Sequence, residues 1–122
     1  MTDTVARVGA LMIDCHDPDG LAAFWGELTG TEPEHQYPDY IFMSKLPGNH
    51  IRLAFQRVPE SKTVKNRVHL DLGSKDPEAF IRRVEELGGG VIEVHKEGGF
   101  GWTVLHDPEG NEFCVTTPHE EG

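Results

Sequence analysis

The chain has 122 residues and a formal net charge of −10 at pH 7. That length is enough for one domain with a single hydrophobic core. The excess of carboxylates argues against nucleic acid or anionic membranes as partners, because both are bound mainly through Lys and Arg. The two cysteines, Cys15 and Cys114, form neither a disulfide framework nor a CxxC pair, and no charged start precedes an apolar run. We therefore expect a cytoplasmic protein with reduced thiols.

The first half of the sequence predicts a β-α-β-β-β unit. Apolar residues over 8–13, beginning with Val8, predict a strand buried on both faces. Asp17 and Pro18 then supply a helix N-cap and a first helical residue, and Gly30 ends the helix. The apolar face of that helix consists of Leu21, Phe24, Trp25 and Leu28. Three further strands are predicted at roughly 32–36, 39–45 and 50–57.

The second half repeats this pattern. A shift of 59 residues aligns Asp17-Pro18 with Asp76-Pro77, and a shift of 62 residues aligns Gly48-Asn49 with Gly110-Asn111. Each copy is too small to bury a core alone. The repeat therefore predicts an α+β domain of two tandem βαβββ units, with curved mixed sheets and outer helices. The predicted boundaries are about 5–57 for unit one, 58–66 for a polar linker and about 67–117 for unit two, with strands near 91–96, 100–106 and 112–117.

Four segments carry a resemblance to a known family. They are Asp14-Cys15 with Asp17-Pro18, the helix segment over 21–25, the strand segment over 65–72 and the turn segment over 107–113. From about residue 7 to 117 the chain resembles the vicinal oxygen chelate superfamily, in particular a bacterial glyoxalase-like branch. That superfamily includes glyoxalase I, extradiol dioxygenases, fosfomycin-resistance enzymes and bleomycin-resistance binding proteins. The resemblance implies the fold but leaves the function open, because this fold hosts metal enzymes and metal-free binders alike.

The resemblance also implies four positions where metal-dependent members hold their ion, on the first and last strand of each unit. In this chain the positions are Ala10, Arg52, His69 and Cys114. Ala10 has no lone pair to donate, and the fixed positive charge of Arg52 repels a cation. Because only His69 and Cys114 remain as donors, we expect no metal and no other cofactor.

The same positions predict a ligand pocket. Side chains alternate along a strand, so Arg52 should share a face with His50 and Gln56, and His69 with Asp71. Aromatic walls are predicted from Tyr40, Phe42 and Trp102, and the candidate ligand-binding residues are Arg52, His69, Asp71, Trp102, Cys114, Tyr40, Phe42, Gln56 and His50. The predicted partner of Arg52 is Asp71, Glu112 or a ligand carboxylate or enolate. A structural His69 bonded to Asp71 or to backbone, and a Cys114 that is simply buried, are the alternatives.

Three functions fit these residues. One is a glyoxalase-like small-molecule-binding protein with a metal-free pocket. Another is a lyase or isomerase of the glyoxalase type that acts on a small carboxylate or enolisable substrate, with His69 as base. A third is a bleomycin-type protein that sequesters a cationic drug on its acidic surface. In each case we expect a twofold homodimer, because each unit should leave apolar sheet edge and helix surface for a partner to cover.

Overall fold

The computed structural model describes residues 4–118, and the chain divides into two compact units, Met1–Ser61 and Lys62–Gly122. The division lies inside the predicted linker 58–66. Each unit has one helix and one four-stranded sheet, with strand orders β1-β4-β3-β2 and β5-β8-β7-β6. The predicted α+β class and the β-α-β-β-β order of both units are confirmed.

The first unit contains β1 (Ala10–Cys15), α1 (Pro18–Thr29), β2 (Pro33–Gln36), β3 (Tyr40–Lys45) and β4 (Arg52–Arg57). Strand β1 runs parallel to β4, and β3 is antiparallel to β4 and to β2. The Asp17 carboxylate accepts a hydrogen bond from the Gly20 amide at 3.1 Å, as predicted for an N-cap. The helix ends at Gly30, whose φ of 69° is the left-handed conformation that favours glycine.

The core of the first unit lies between α1 and strands β3 and β4. Its buried side chains include Leu21, Ala22, Phe24, Trp25, Ile41, Met43, Leu53 and Phe55. The helix approaches the following loop so closely that a Cβ on Gly26 would lie 2.7 Å from the Thr31 carbonyl oxygen. Glycine at this position therefore permits the packing of α1.

The second unit contains β5 (Asp71–Leu72), α2 (Pro77–Glu86), β6 (Gly90–Glu97), β7 (Phe100–His106) and β8 (Glu112–Pro118). Asp76 caps α2 by accepting from the Ala79 amide at 3.1 Å, again as predicted. Helix α2 packs on β6 and β8, and Val84 is its one fully buried residue. Opposite it the sheet buries Thr103, Leu105, Phe113 and Val115.

Two predictions about strands are wrong. The first strand was predicted to be buried on both faces, but Val8 lies before β1 and is 57% exposed, and Met12 is 40% exposed. The reason is that β1 is an edge strand and α1 packs chiefly on β3 and β4. His50 was placed on the strand with Arg52, but β4 begins at Arg52 and His50 lies in the exposed turn before it.

The predicted linker is held at both ends. The Val58 amide donates to the Cys15 carbonyl at 2.8 Å. Farther along, Lys62 Nζ donates to Glu112 Oε2 at 3.0 Å, and the Asn66 amide donates to Glu112 Oε1 at 2.9 Å. Over the described part of the chain, neither helix has the length and apolar composition needed to cross a bilayer.

Candidate functional site

The first candidate site lies on the open face of the first sheet, which we define as the face opposite α1. Leu53 and Phe55 point toward the core, so Arg52 and Gln56 lie on the open face. Phe42 pairs with Ala54 and Tyr40 with Gln56, and residues directly opposite on antiparallel strands share a face. The structure thus places Arg52, Phe42, Gln56 and Tyr40 along one face, with Phe42 between Arg52 and the Tyr40–Gln56 pair, whereas His50 lies in the turn before β4.

Arg52 is held by the edge of its own sheet. Its Nη1 donates to Glu34 Oε1 at 2.7 Å and to the Met43 carbonyl oxygen at 3.1 Å. Its side chain is only 19% exposed, against 46% for Glu34. The prediction that Asp71 or Glu112 would be the intramolecular partner is wrong. Glu34 is the extra residue of a bulge in β2, and such bulges redirect a side chain in a way that strand alternation does not anticipate.

The Arg52–Glu34 pair leaves part of the guanidinium available. The hydrogen bond from Arg52 lowers the pKa of Glu34 below its usual value, and the positive charge of Arg52 adds to this effect. Nε and Nη2 of Arg52 donate no hydrogen bond to any residue of the described range 4–118. A guanidinium has five N–H donors, so Arg52 can donate hydrogen bonds to a second anion while it keeps its bond to Glu34.

The second candidate site is the triad, by which we mean His69, Asp71 and Cys114 of the second unit. Asp71 and Cys114 are partners in the parallel ladder of β5 and β8, and the Cys114 amide donates to the Leu70 carbonyl at 2.9 Å. His69 stands two residues before Asp71 and its Nε2 lies 3.2 Å from Asp71 Oδ1. One ligand atom from each of the three residues lies within 4.8 Å of the other two.

The members of the triad differ in exposure. Cys114 is 7% exposed, whereas the side chains of His69 and Asp71 are 41% and 73% exposed. Burial raises the pKa of the Cys114 thiol, and the negative charge of Asp71, which accepts a hydrogen bond from the thiol, raises it further. In the absence of a cation Cys114 is therefore a neutral hydrogen-bond donor and not an activated nucleophile.

Trp102 lies on the same face as Cys114 but already has an aromatic neighbour. It pairs with Thr116 while Val104 pairs with Cys114, which places Trp102 and Cys114 on one face. The imidazole of His95 stacks on the Trp102 ring, with a centroid distance of 4.8 Å and an interplanar angle of 12°. Sequence reasoning missed His95, because only the pairing of β6 with β7 shows that it lies opposite Trp102.

The four positions implied by the resemblance do not fit a divalent metal with oxygen and nitrogen ligands. In the first unit Ala10 stands opposite Arg52, so neither position supplies a donor. In the second unit the residue opposite Cys114 is Asp71, not His69. The offset of 59 residues that aligns the helix caps does not hold on the first strands. Ala10 is seven residues before its cap Asp17, whereas Asp71 is five residues before Asp76.

Comparisons with known proteins agree on the fold. A family model described as a glyoxalase-like domain matches residues 10–116. The chain is similar to a glyoxalase/bleomycin resistance protein/dioxygenase family enzyme from Burkholderia phytofirmans, with a TM-score of 0.73 and 18% identity over 91% of this chain and 98% of that one. It is also similar to a glyoxalase-related enzyme from Fulvimarina pelagi, with a TM-score of 0.70 and 18% identity over 92% and 88% of the two chains.

A third similar structure is a glyoxalase/bleomycin resistance protein from Albidiferax ferrireducens, with a TM-score of 0.65 and 18% identity over 88% of this chain and 95% of that one. At such identities the likeness of these structures establishes the fold alone. A comparison with curated proteins finds no match.

Proposed function

The chain belongs to the glyoxalase-like domain family, and from that premise we propose that it is a small-molecule-binding protein whose ligand presents a carboxylate or enolate to Arg52. The observation that carries this proposal is that the Arg52 side chain is mostly buried and has N–H donors that its contacts do not use. It is four-fifths buried on the open face, and it uses only Nη1 in its contacts with Glu34 and Met43. The binding at Arg52 needs no metal.

The surroundings of Arg52 suit a small organic anion. Tyr40 and Phe42 lie on the same face and offer aromatic surface, and Gln56 offers an amide that can donate or accept. A charge-assisted hydrogen bond from a partly buried guanidinium contributes about 1.5–3 kcal/mol, which corresponds to roughly tenfold or more in affinity. Ligand selection by this face therefore depends on the negative charge of the ligand.

The test is a calorimetric titration with a panel of small 2-oxo and 2-hydroxy carboxylates and their neutral amides. We expect at least one carboxylate to bind, its amide to bind far more weakly, and Arg52→Ala to weaken the carboxylate about tenfold or more. Arg57→Ala is the matched control, because Arg57 ends the same strand but is exposed and pairs with Asp39 at 3.4 Å. Equal binding of carboxylate and amide, or unchanged binding by Arg52→Ala, would refute the proposal.

The drug-sequestering alternative makes the opposite prediction about charge. A cationic ligand would avoid Arg52, so removing the guanidinium would leave its affinity unchanged or raise it. The same variants titrated with a cationic glycopeptide antibiotic therefore separate the two functions.

A second candidate function, a lyase or isomerase, is favoured by the His69–Asp71 pair. A carboxylate 3.2 Å from an imidazole nitrogen can orient the ring, and the 41% exposure of the His69 side chain leaves it accessible to a substrate. His69 would then remove a proton next to the carbonyl of an enolisable carboxylate. Exchange of that proton for deuterium, followed by NMR, is expected with this chain and lost in His69→Gln. If no carboxylate that binds exchanges this proton for deuterium, the lyase or isomerase function is refuted and the binding function remains.

We also propose that the protein is a cytoplasmic homodimer. Strand β6 lies at the edge of its sheet and exposes Val91, Ile92 and Val94, at 40%, 48% and 59%. An exposed apolar edge strand is a surface that proteins cover. Neither Cys15 nor Cys114 forms a disulfide within the described range 4–118, which suits a reducing compartment. Light scattering at micromolar concentration tests the dimer, and a monomer would contradict it.

A further inference from the structure

We infer that the anion bound by Arg52 is an aromatic carboxylate, and that its ring lies on an apolar strip of the same open face. By the apolar strip we mean the side chains of Met12, Phe42, Tyr37 and Tyr40 in the first unit. The inference rests on the binding proposed at Arg52 and narrows its ligand class, because a short aliphatic acid would satisfy the guanidinium without contacting these side chains. Met12 and Tyr37 add to the site residues predicted from the sequence.

The turn between β2 and β3 brings Tyr37 to the open face. The Tyr37 amide donates to the Tyr40 carbonyl at 2.8 Å, and the Tyr40 amide donates back to the Tyr37 carbonyl at 3.4 Å. Residues paired in this way share a face, so Tyr37 lies on the same face as Tyr40. Its ring packs edge-on against Phe42, with a centroid distance of 6.3 Å and an interplanar angle of 85°. The turn therefore gathers three aromatic rings at one end of the open face.

Met12 continues the strip across the sheet. Ala54 pairs with Met12 on one side and with Phe42 on the other, so the three residues form one row of the open face. Ala54 itself has no exposed surface, because the larger side chains around it cover it. Met12, Tyr37 and Tyr40 nevertheless remain 40%, 58% and 39% exposed. Large apolar side chains that are exposed together, and not singly, mark a binding surface.

The position of Arg52 relative to the strip sets the shape of the ligand. Its Nη1 lies 3.1 Å from the carbonyl oxygen of Met43, the residue after Phe42, so the guanidinium is at the Phe42 end of the strip. Tyr40 is three residues from Met43, which is about 10 Å along the strand. A carboxylate joined to an aromatic ring through about two carbon atoms covers this distance. The ring then lies over Phe42 and Tyr40, where a rigid aromatic body buries apolar area at a low cost in conformational entropy.

The experiment compares four 2-hydroxy carboxylates by calorimetry, namely lactate, mandelate, 3-phenyllactate and 3-cyclohexyllactate. All four present the same carboxylate and hydroxyl group to Arg52, so differences in affinity report on the rest of the molecule. We expect 3-phenyllactate to bind about tenfold or more tightly than lactate. Mandelate has its ring one carbon closer to the carboxylate, and 3-cyclohexyllactate has a ring that is neither flat nor aromatic. Both should bind less tightly than 3-phenyllactate.

Variants of Tyr37 test the strip itself. Because Tyr37 is more than half exposed, Tyr37→Ala should fold like the native chain. It should weaken 3-phenyllactate about tenfold and leave lactate unchanged, because lactate does not reach the strip. Tyr37→Phe keeps the ring and should keep the affinity. Val94→Ala is the matched control, because Val94 is 59% exposed but belongs to the second unit, and it should bind all four acids as the native chain does.

The outcomes separate this inference from the proposal at Arg52. Equal affinity for lactate and 3-phenyllactate, or unchanged 3-phenyllactate binding by Tyr37→Ala, would overturn the inference alone. If Arg52→Ala leaves 3-phenyllactate binding unchanged, the proposal at Arg52 fails and the inference fails with it. Should Tyr37→Ala convert a dimer to a monomer in light scattering and keep its affinity for 3-phenyllactate, the apolar strip is a subunit contact and the inference is overturned.

Discussion

The two units share one topology but carry opposite chemistry on corresponding strands. In the first unit, Ala10 stands opposite Arg52, so the ladder position holds a fixed cation that attracts anions. In the second, Asp71 stands opposite Cys114 and His69 is adjacent, so the same place holds a carboxylate, a thiol and an imidazole. A duplicated backbone fixes where side chains stand, and the residue types at those positions then set the chemical groups that each unit presents there.

The units also differ in how they are stabilised. Helix α1 buries six residues, whereas α2 buries Val84 alone among its described residues. The second unit instead relies on buried polar groups. Asp107 is fully buried and accepts from the amides of Glu109 and Asn111, and the half-buried Glu112 is clamped by Lys62 and Asn66. We therefore expect the stability of the first unit to depend most on buried apolar side chains of its helix, and that of the second unit to depend more on buried polar groups.

The largest effect is expected in the core of the first unit. Trp25 is 1% exposed and its ring packs edge-on against Phe24 at 5.4 Å. Trp25→Ala should lower the free energy of unfolding by about 3–5 kcal/mol, and Val84→Ala, the matched change in α2, by about 2 kcal/mol. Urea denaturation followed by circular dichroism measures both. Equal losses would show that the helices contribute equally despite their unequal burial.

A smaller loss of stability is expected from substitutions in the turns that precede β4 and β8, and the two turns should differ. Asp107→Ala would leave the partly buried amides of Glu109 and Asn111 without their acceptor, which costs about 1–3 kcal/mol. In the first unit, Asn49 Oδ1 accepts from the Ile51 amide at 2.7 Å, but this bond is exposed and water can replace it. Asn49→Ala should therefore change the urea midpoint much less. A loss from Asn49→Ala as large as that from Asp107→Ala would remove the proposed contrast.

The smallest effect concerns the two lowered carboxyl pKa values. Burial by itself would raise the pKa of Glu112, but hydrogen bonds from Asn66 and Lys62 outweigh it and leave that pKa below its usual value. A lowered folded-state pKa means that the stabilisation is present at neutral pH and is lost as the pH falls through the folded-state value. Glu112→Gln should cost about 1.5 kcal/mol at pH 7, near the lower end for charged hydrogen bonds.

The pH dependence gives this prediction its control. The loss from Glu112→Gln should shrink as the pH falls below the usual carboxyl range, because the native side chain then becomes protonated as well. Glu34 is the control, because its pKa is also lowered but its side chain is more exposed. The stability of the Glu34→Gln variant should stay close to that of the native chain at every pH. A loss that stays constant down to acidic pH would show that Glu112 acts through shape and not through charge.

Local signals in the sequence predicted much of this molecule. Asp17 and Asp76 cap their helices as predicted, since a cap depends on residues within one turn. The alternation of β4 correctly placed Arg52 and Gln56 on the face opposite Leu53 and Phe55, because successive side chains of a strand point to opposite faces. The same reasoning failed for His50, because the exact start of a strand depends on the turn geometry before it.

By itself, the sequence determined the duplicated β-α-β-β-β plan, the two capped helices and the presence of Arg52, His69 and Cys114 on sheet strands or next to them. These features depend on periodicity and on local hydrogen bonding, both of which are written along the chain. Only the tertiary structure decided that Arg52 pairs with Glu34, that Asp71 and not His69 stands opposite Cys114, and that His95 stacks on Trp102. Each of these contacts joins different strands through a bulge, a ladder register or a cross-strand pairing, and no spacing within one strand specifies them.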